Sequence, residues 1–494
     1  MNTVVNTQYG PVSGFYRDNL MMWFGIPYAA PPVGELRFKR ARQPEKWDEV
    51  RVCETMGPAP IQMAGGKFAQ SAGTVRPQSE DCLYLNVWSF DGARNAPVFI
   101  YIFGGGHHAG DAATPDFDLS AFARHGIVAV SFNYRLGALG FYDFTTWGSE
   151  FESNCGFSDC IAAVKWVHEN IAAFGGDPDR VTVCGESAGG TTVMALLAAP
   201  SVKGCFKRAI VMSGLGSNIT NDKTQAIHRE QFRERLGIKD GHELFTMPAE
   251  EIKKGCAPMF TVPDTEHPGI LPPGPIIDDL IPRHPVEAAR RGEFANVYCI
   301  FGTCRDEGAL FWLMRLCPMS REEVEIMFRV NGYGHLIPAL RHVYGSMGEK
   351  QAVRAVNRDR MFWADTMKLA IEQSRHSESV YMYSFEYETP LSRILGLGAT
   401  HSMDVCPALG SFGGSYSTLY GDGRSRSYRN LTRQLHGAFV DFIRTGRPGV
   451  DGEHWDPFRD YVQAVMHFSR KTHQTIERPS PEVYDLWKDI RLYM

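Results

Sequence analysis

The chain has 494 residues, 44% hydrophobic and 22% charged, ordinary values that exclude a disordered or fibrous protein. A formal net charge of −5 and a pI near 6.4 give no electrostatic reason to expect nucleic acid or an anionic membrane as partner. No apolar run reaches the roughly 18 residues of a membrane span, and the opening MNTVVNTQYGPVSG lacks the basic and apolar regions of a signal peptide.

In chain order, strands are expected at 97–103 and 127–134, both near-continuous apolar runs rich in β-branched residues. Asp159 is placed to cap a helix with Ile161, Val164, Val167 and Ile171 on one face, stopped by the turn Gly175-Gly176-Asp177-Pro178. Strands follow at 181–185 and 208–213. The segment 219–285 is richer in charge, Pro and Gly and reads as an insertion over the sheet, helical in part. Further strands are expected at 297–303 and 380–387. The Gly- and Ser-rich stretch 389–423 reads as a long loop region, which in a folded domain is often functional. A last helix carries Leu431, Leu435, Phe439 and Phe442 and ends near Gly446 and Pro448. Strands alternating with helices make an α/β layer fold around a mostly parallel sheet.

Eleven cysteines leave at least one thiol unpaired. Cys155 and Cys160, like Cys299 and Cys304, stand five apart, and neither pair is followed by residues at zinc spacing. Buried reduced thiols in a cytoplasmic protein are the expectation. N-x-S/T sequences at Asn218 and Asn430 read as chance matches without a secretion signal.

The chemistry centres on Gly185-Glu186-Ser187-Ala188-Gly189, which follows a strand and precedes the helical run Ala195-Leu196-Leu197. Strand, sharp turn and helix are the context of a nucleophile elbow, where a strained backbone projects the Ser hydroxyl from the strand end. A Cβ two residues before or after would meet neighbouring backbone, hence the paired glycines. Phe103-Gly104-Gly105-Gly106 ends another strand, and consecutive glycines let N–H groups of Gly105 and Gly106 converge with that of Ala188 on an oxyanion. No G-x-x-x-x-G-K-[ST] follows, which argues against a nucleotide phosphate loop.

Several blocks resemble the type-B carboxylesterase/cholinesterase family, in the manner of bacterial para-nitrobenzyl esterases. They are Gly25-Ile26-Pro27-Tyr28-Ala29 with Pro31-Pro32-Val33-Gly34 and Leu36-Arg37-Phe38, then Ser79-Glu80-Asp81-Cys82-Leu83-Tyr84-Leu85-Asn86-Val87, the triple glycine, Asn133-Tyr134-Arg135-Leu136, Phe174-Gly175-Gly176-Asp177-Pro178 and the elbow. The resemblance implies one α/β-hydrolase domain over 1–494 with insertions near 219–285 and 389–423, where length alone suggests about two to four domains. It also implies a triad of Ser187, Glu307 in Arg305-Asp306-Glu307-Gly308, and His401 in Gly398-Ala399-Thr400-His401, with Asp306 the alternative acid. The resemblance implies that Glu186, beside the nucleophile, hydrogen-bonds near the active site. Asp404 matches an acidic family position, with a loop cap as its alternative, and Ser213 resembles a buried serine behind the catalytic His. Glu186 and Ser213 have purely structural alternatives. The family usually has His or Tyr where Phe103 stands, and Phe or Ala where His107 and His108 stand. Either His would make a subsite at the pocket mouth more polar, or simply face solvent. Cys82 lacks its usual upstream partner, because 57–61 holds no Cys, and 62–78 lacks the Trp on which choline esters stack.

The expectation is a cytoplasmic serine hydrolase, monomer or small homo-oligomer, that needs no metal or organic cofactor and cleaves small esters of short acyl groups or aryl alcohols. Its activity is expected to fall below about pH 6.5 as His401 protonates. A hydrolase specialised for one natural ester (feruloyl, lactone or sugar acetyl) is the alternative within the class. An inactive binding relative is disfavoured because Ser, Glu and His are all present, and a lipase because no amphipathic lid is apparent.

Overall fold

The computed structural model describes residues 3–63, 76–256, 264, 266–421, 423–476 and 481–494. Most of the segment 62–78, where the choline-stacking Trp is missing, lies outside them.

Among the described residues eleven strands form one mixed sheet: β1 (Phe15–Arg17), β2 (Leu20–Pro27), β3 (Tyr84–Phe90), β4 (Ala96–Ile102), β5 (Val128–Phe132), β6 (Gly176–Glu186), β7 (Arg208–Met212), β8 (Tyr298–Cys304), β9 (Val380–Phe385), β10 (Ala464–Phe468) and β11 (His473–Ile476). Their order across the sheet is β1-β2-β3-β5-β4-β6-β7-β8-β9-β10-β11. From β5 to β10 every neighbouring pair is parallel; β1 to β3 on one side and β11 on the other run antiparallel to their neighbours. The central strands are apolar along their length because helices cover both faces: all seven residues of β4 are buried, as are all five of β5. The fold is that of the α/β hydrolases.

The covering helices include α1 (Cys155–Asn170), α2 (Ala188–Leu197), α3 (Asp222–Leu236), α4 (Gly308–Leu313), α5 (Ala364–Ser374) and α6 (Arg426–Thr445). In α6, Leu431, Leu435, Phe439 and Phe442 are all buried, and Ser425 accepts a bond from the N–H of Tyr428 at the helix start. Gly446, at φ +80°, ends it by donating to the Phe442 carbonyl.

Asp159 does not cap α1. The helix begins a turn earlier, at Cys155, and Asp159 is fully buried inside it. Its carboxylate accepts from Nε (2.8 Å), Nη2 (2.7 Å) and the backbone N–H (3.0 Å) of Arg135. A buried guanidinium demands a paired counter-charge, and that need, invisible in local sequence, outweighs the capping preference of Asp.

The segment 219–285 holds α3 and two shorter helices, Glu243–Thr246 and Ala249–Gly255, and Thr220 bridges back to Ile276. The stretch 389–423 is less loop-like than its composition suggests. It folds into three short helices, Pro390–Ile394, Val405–Leu409 and Ser415–Tyr420, because each finds an apolar or hydrogen-bonded seat in the body of the protein. The loops after β4, β6, β8 and β9 all leave the C-terminal edge of the parallel strands, where open α/β sheets place their sites.

Candidate active site

Ser187 sits between β6 and α2 with φ +59° and ψ −124°, a conformation that side chains rarely adopt. Its N–H donates to the Met212 carbonyl (3.0 Å) and its carbonyl accepts from Thr191 (2.9 Å), so β7 and the first turn of α2 hold the strained residue from both ends. The turn closes only with glycine at 185 and 189: a Cβ on Gly185 would run into the Gly189 carbonyl, and one on Gly189 into the carbonyl of Ile102 on β4.

His401, on the loop after β9, places Nε2 2.8 Å from Ser187 Oγ and Nδ1 2.6 Å from Glu307 Oε2. Glu307 is fully buried at the start of α4, and its other oxygen, Oε1, accepts from the Cys304 N–H (2.7 Å) and the Ser213 hydroxyl (2.5 Å). Ser213 therefore stands behind Glu307, not behind His401. Asp306, the alternative acid, points elsewhere: it accepts from the Ala399 N–H (2.9 Å) and pairs with Arg305, bracing the loop that carries His401.

Glu186 Oε1 accepts from the Ser402 hydroxyl (2.6 Å) and lies 3.4 Å from His401 Nε2. Asp404 caps no loop through its side chain; it accepts from the Tyr383 hydroxyl (2.7 Å). Burial pushes the Glu186 carboxyl up to about 7 and that of Asp404 up to about 6. Burial alone would depress His401, but the carboxylates of Glu186 and Glu307 outweigh it and hold the imidazole up to about 9. The rings of Phe311 (5.0 Å) and Phe362 (4.7 Å) pack against the imidazole. Phe362 comes from a π-helical turn, Asp359–Trp363, a local irregularity that hydrophobic periodicity does not reveal.

Gly105, Gly106 and Ala188 line the same cavity as Ser187, and among the described residues the backbone N–H of none of the three donates to a protein acceptor. The cavity has a volume of about 650 Å³. Leu215, Leu310, Phe311, Met314 and Tyr416 line its wall, and Asn218 and His228 from the 219–285 side border it.

The expectation of a polar histidine at the pocket mouth fails for both candidates. His107 and His108 are buried, at 0% and 6% exposure, and neither lines the cavity. Burial depresses both imidazoles, to about 3 and about 4, so both are neutral. The short helix Gly137–Phe141 places Phe141 against the His107 ring at 4.3 Å, so the side chain packs inward.

All eleven cysteines are free. Among the described residues no group of three His, Cys, Asp or Glu is placed to hold a metal ion, and no helix is long and apolar enough to cross a membrane.

Residues 1–487 match the model of the carboxylesterase family. The chain is similar to the para-nitrobenzyl esterase of Bacillus subtilis, 33% identical over 474 residues that cover 94% of each chain. It is also similar to the phenmedipham hydrolase of Pseudarthrobacter oxydans, 30% identical over 478 residues and again 94% of each. A solved structure of a PNB esterase superposes with a TM-score of 0.88 at 29% identity, covering 99% of both chains.

Proposed function

Since the chain belongs to the carboxylesterase family and is a carboxylic ester hydrolase, we propose that Ser187, His401 and Glu307 form its catalytic triad, with the N–H groups of Gly105, Gly106 and Ala188 as oxyanion hole. One observation carries the reading: His401 Nε2 stands 2.8 Å from Ser187 Oγ while Nδ1 stands 2.6 Å from a buried carboxylate.

The roles follow from the chemistry. A serine hydroxyl is a weak nucleophile at neutral pH, so His401 takes its proton as Oγ attacks the ester carbonyl. The carbonyl oxygen becomes an oxyanion facing the three amides, each worth about 10²–10³ in rate in such sites. His401 returns the proton to the departing alkoxide, and the alcohol leaves an acyl-serine. Water then repeats the sequence: His401 takes its proton, hydroxide adds to the acyl carbon, and Ser187 leaves with the proton restored. Glu307 keeps the Nδ1–H tautomer and stabilises the imidazolium. Glu186 and Ser213 are supports of this machinery, one bonded to the loop of His401 and the other to the acid.

The mostly apolar cavity suits esters of small acyl groups and aryl alcohols, in keeping with the para-nitrobenzyl esters named for the Bacillus subtilis relative. Eleven unpaired thiols support a cytoplasmic setting. The test is direct: a fluorophosphonate probe labels Ser187 alone, and Ser187→Ala abolishes turnover of p-nitrophenyl acetate. A Ser187→Ala protein with wild-type turnover would falsify the assignment.

A further inference from the structure

His107 replaces the residue that follows the triple glycine, and its buried ring spans from that turn to the first turn of α2. Nε2 lies 3.1 Å from Thr192 Oγ1, and Nδ1 lies 3.4 Å from Asn218 Nδ2. The Thr192 hydroxyl donates its one hydrogen to the Ala188 carbonyl (3.0 Å). Towards His107 it can therefore only accept, so Nε2 carries the hydrogen and Nδ1 is the acceptor of the Asn218 amide. The opposite assignment would leave the Ala188 carbonyl without its hydroxyl donor and turn the Asn218 NH₂ away from its partner among the described residues; the chosen one leaves Asn218 Oδ1 unpaired among them.

The line Asn218 → His107 → Thr192 → Ala188 thus joins the two sides of the oxyanion hole. On one side His107, at φ +57°, is bonded to Gly106, and its carbonyl is fixed by the Gly137 N–H (2.8 Å). On the other, the carbonyl of Ala188, a residue that lines the cavity, is pinned by the Thr192 hydroxyl. We propose that His107, as the neutral Nε2–H tautomer, is a positioning residue that sets the separation of the glycine amides from the Ala188 amide for the transition-state oxyanion. This rests on the reading of those three amides as oxyanion donors. His107 does not line the cavity, and burial keeps its ring neutral through the working pH range.

Such a clamp acts on the tetrahedral species and not on the ground-state ester, so its loss belongs in kcat. The experiment measures kcat and KM for p-nitrophenyl acetate, and the Ki of an aryl trifluoromethyl ketone whose hemiketal places an oxyanion in the hole. His107→Phe keeps the ring packed on Phe141 but removes the donor. It is expected to lower kcat about 10- to 100-fold, with KM within about threefold, and to raise Ki by the factor lost from kcat. His107→Gln, whose amide nitrogen reaches the Nε2 position, is expected to stay within about fivefold of wild type. Thr192→Val breaks the same link from α2, and His107→Phe/Thr192→Val should be no worse than His107→Phe alone. His107→Phe with wild-type kcat, equal losses in Phe and Gln variants, or losses that multiply in the double variant would each overturn the proposal. If His107→Phe does not fold, Thr192→Val decides alone: a fall in kcat at constant KM supports the clamp, and an unchanged kcat removes it. Inactive Ser187→Ala beside a fully active His107→Phe retires the clamp only; active Ser187→Ala retires the triad itself.

Discussion

Replacing Glu307 by Gln changes one atom of a buried side chain and is expected to reverse the tautomer of His401. Two donors, the Cys304 N–H at 2.7 Å and the Ser213 hydroxyl at 2.5 Å, converge on Oε1. In Glu307→Gln the amide oxygen must stay with them, since turning the NH₂ towards them would leave two buried donors unpaired at about 1–3 kcal/mol each. The NH₂ then faces His401 Nδ1, now 2.6 Å from the carboxylate. Nδ1 becomes an acceptor, the hydrogen moves to Nε2, and Nε2 donates to Ser187 Oγ, where a base is needed. An inverted tautomer in such a triad costs about 10⁴ in kcat, or about 5 kcal/mol of transition-state stabilisation. Substrate binding and packing are nearly untouched, so KM and the melting temperature should change little. Steady-state hydrolysis of p-nitrophenyl acetate with a parallel thermal melt makes the measurement. A Glu307→Gln enzyme that folds normally and keeps more than about a tenth of wild-type kcat refutes the reasoning.

The pH dependence gives a second check. A protonated imidazole cannot accept the Ser187 proton, so activity is lost as pH falls through the His401 pKa. Because Glu186 and Glu307 raise that pKa to about 9, the acid limb of kcat/KM should lie above the ordinary histidine value near 6.5, higher than the sequence suggests. Glu186→Gln removes one of these carboxylates and should move the limb to lower pH; an unmoved limb separates Glu186 from the titration of His401. Asp159→Ala leaves the guanidinium of Arg135 buried without its counter-charge and should cost about 3–5 kcal/mol, read as a lowered denaturation midpoint. A midpoint within error of wild type would show that Arg135 finds another partner or water.

Much of the site is written in short stretches of sequence because local backbone demands are local. The elbow needs glycine at 185 and 189, the turn after β4 carries the glycines 104 to 106, and the central strands declare themselves by apolar runs that only a doubly covered sheet tolerates. The partners of Ser187 were legible in another way: resemblance, and not spacing, pointed to Glu307 and His401, since nothing in residues 187 to 401 states that they meet. What the tertiary structure alone decided are the matters of burial and pairing. Asp159 looks like a cap until Arg135 is buried beside it. His107 looks like a surface histidine until Phe141 packs against it, and Ser213 turns out to bond Glu307 and not His401. Each outcome depends on which distant segment supplies the neighbouring atom. A buried polar group takes whatever partner the packed chain brings within about 3 Å, and that distance is fixed only when the whole sheet and its loops have assembled.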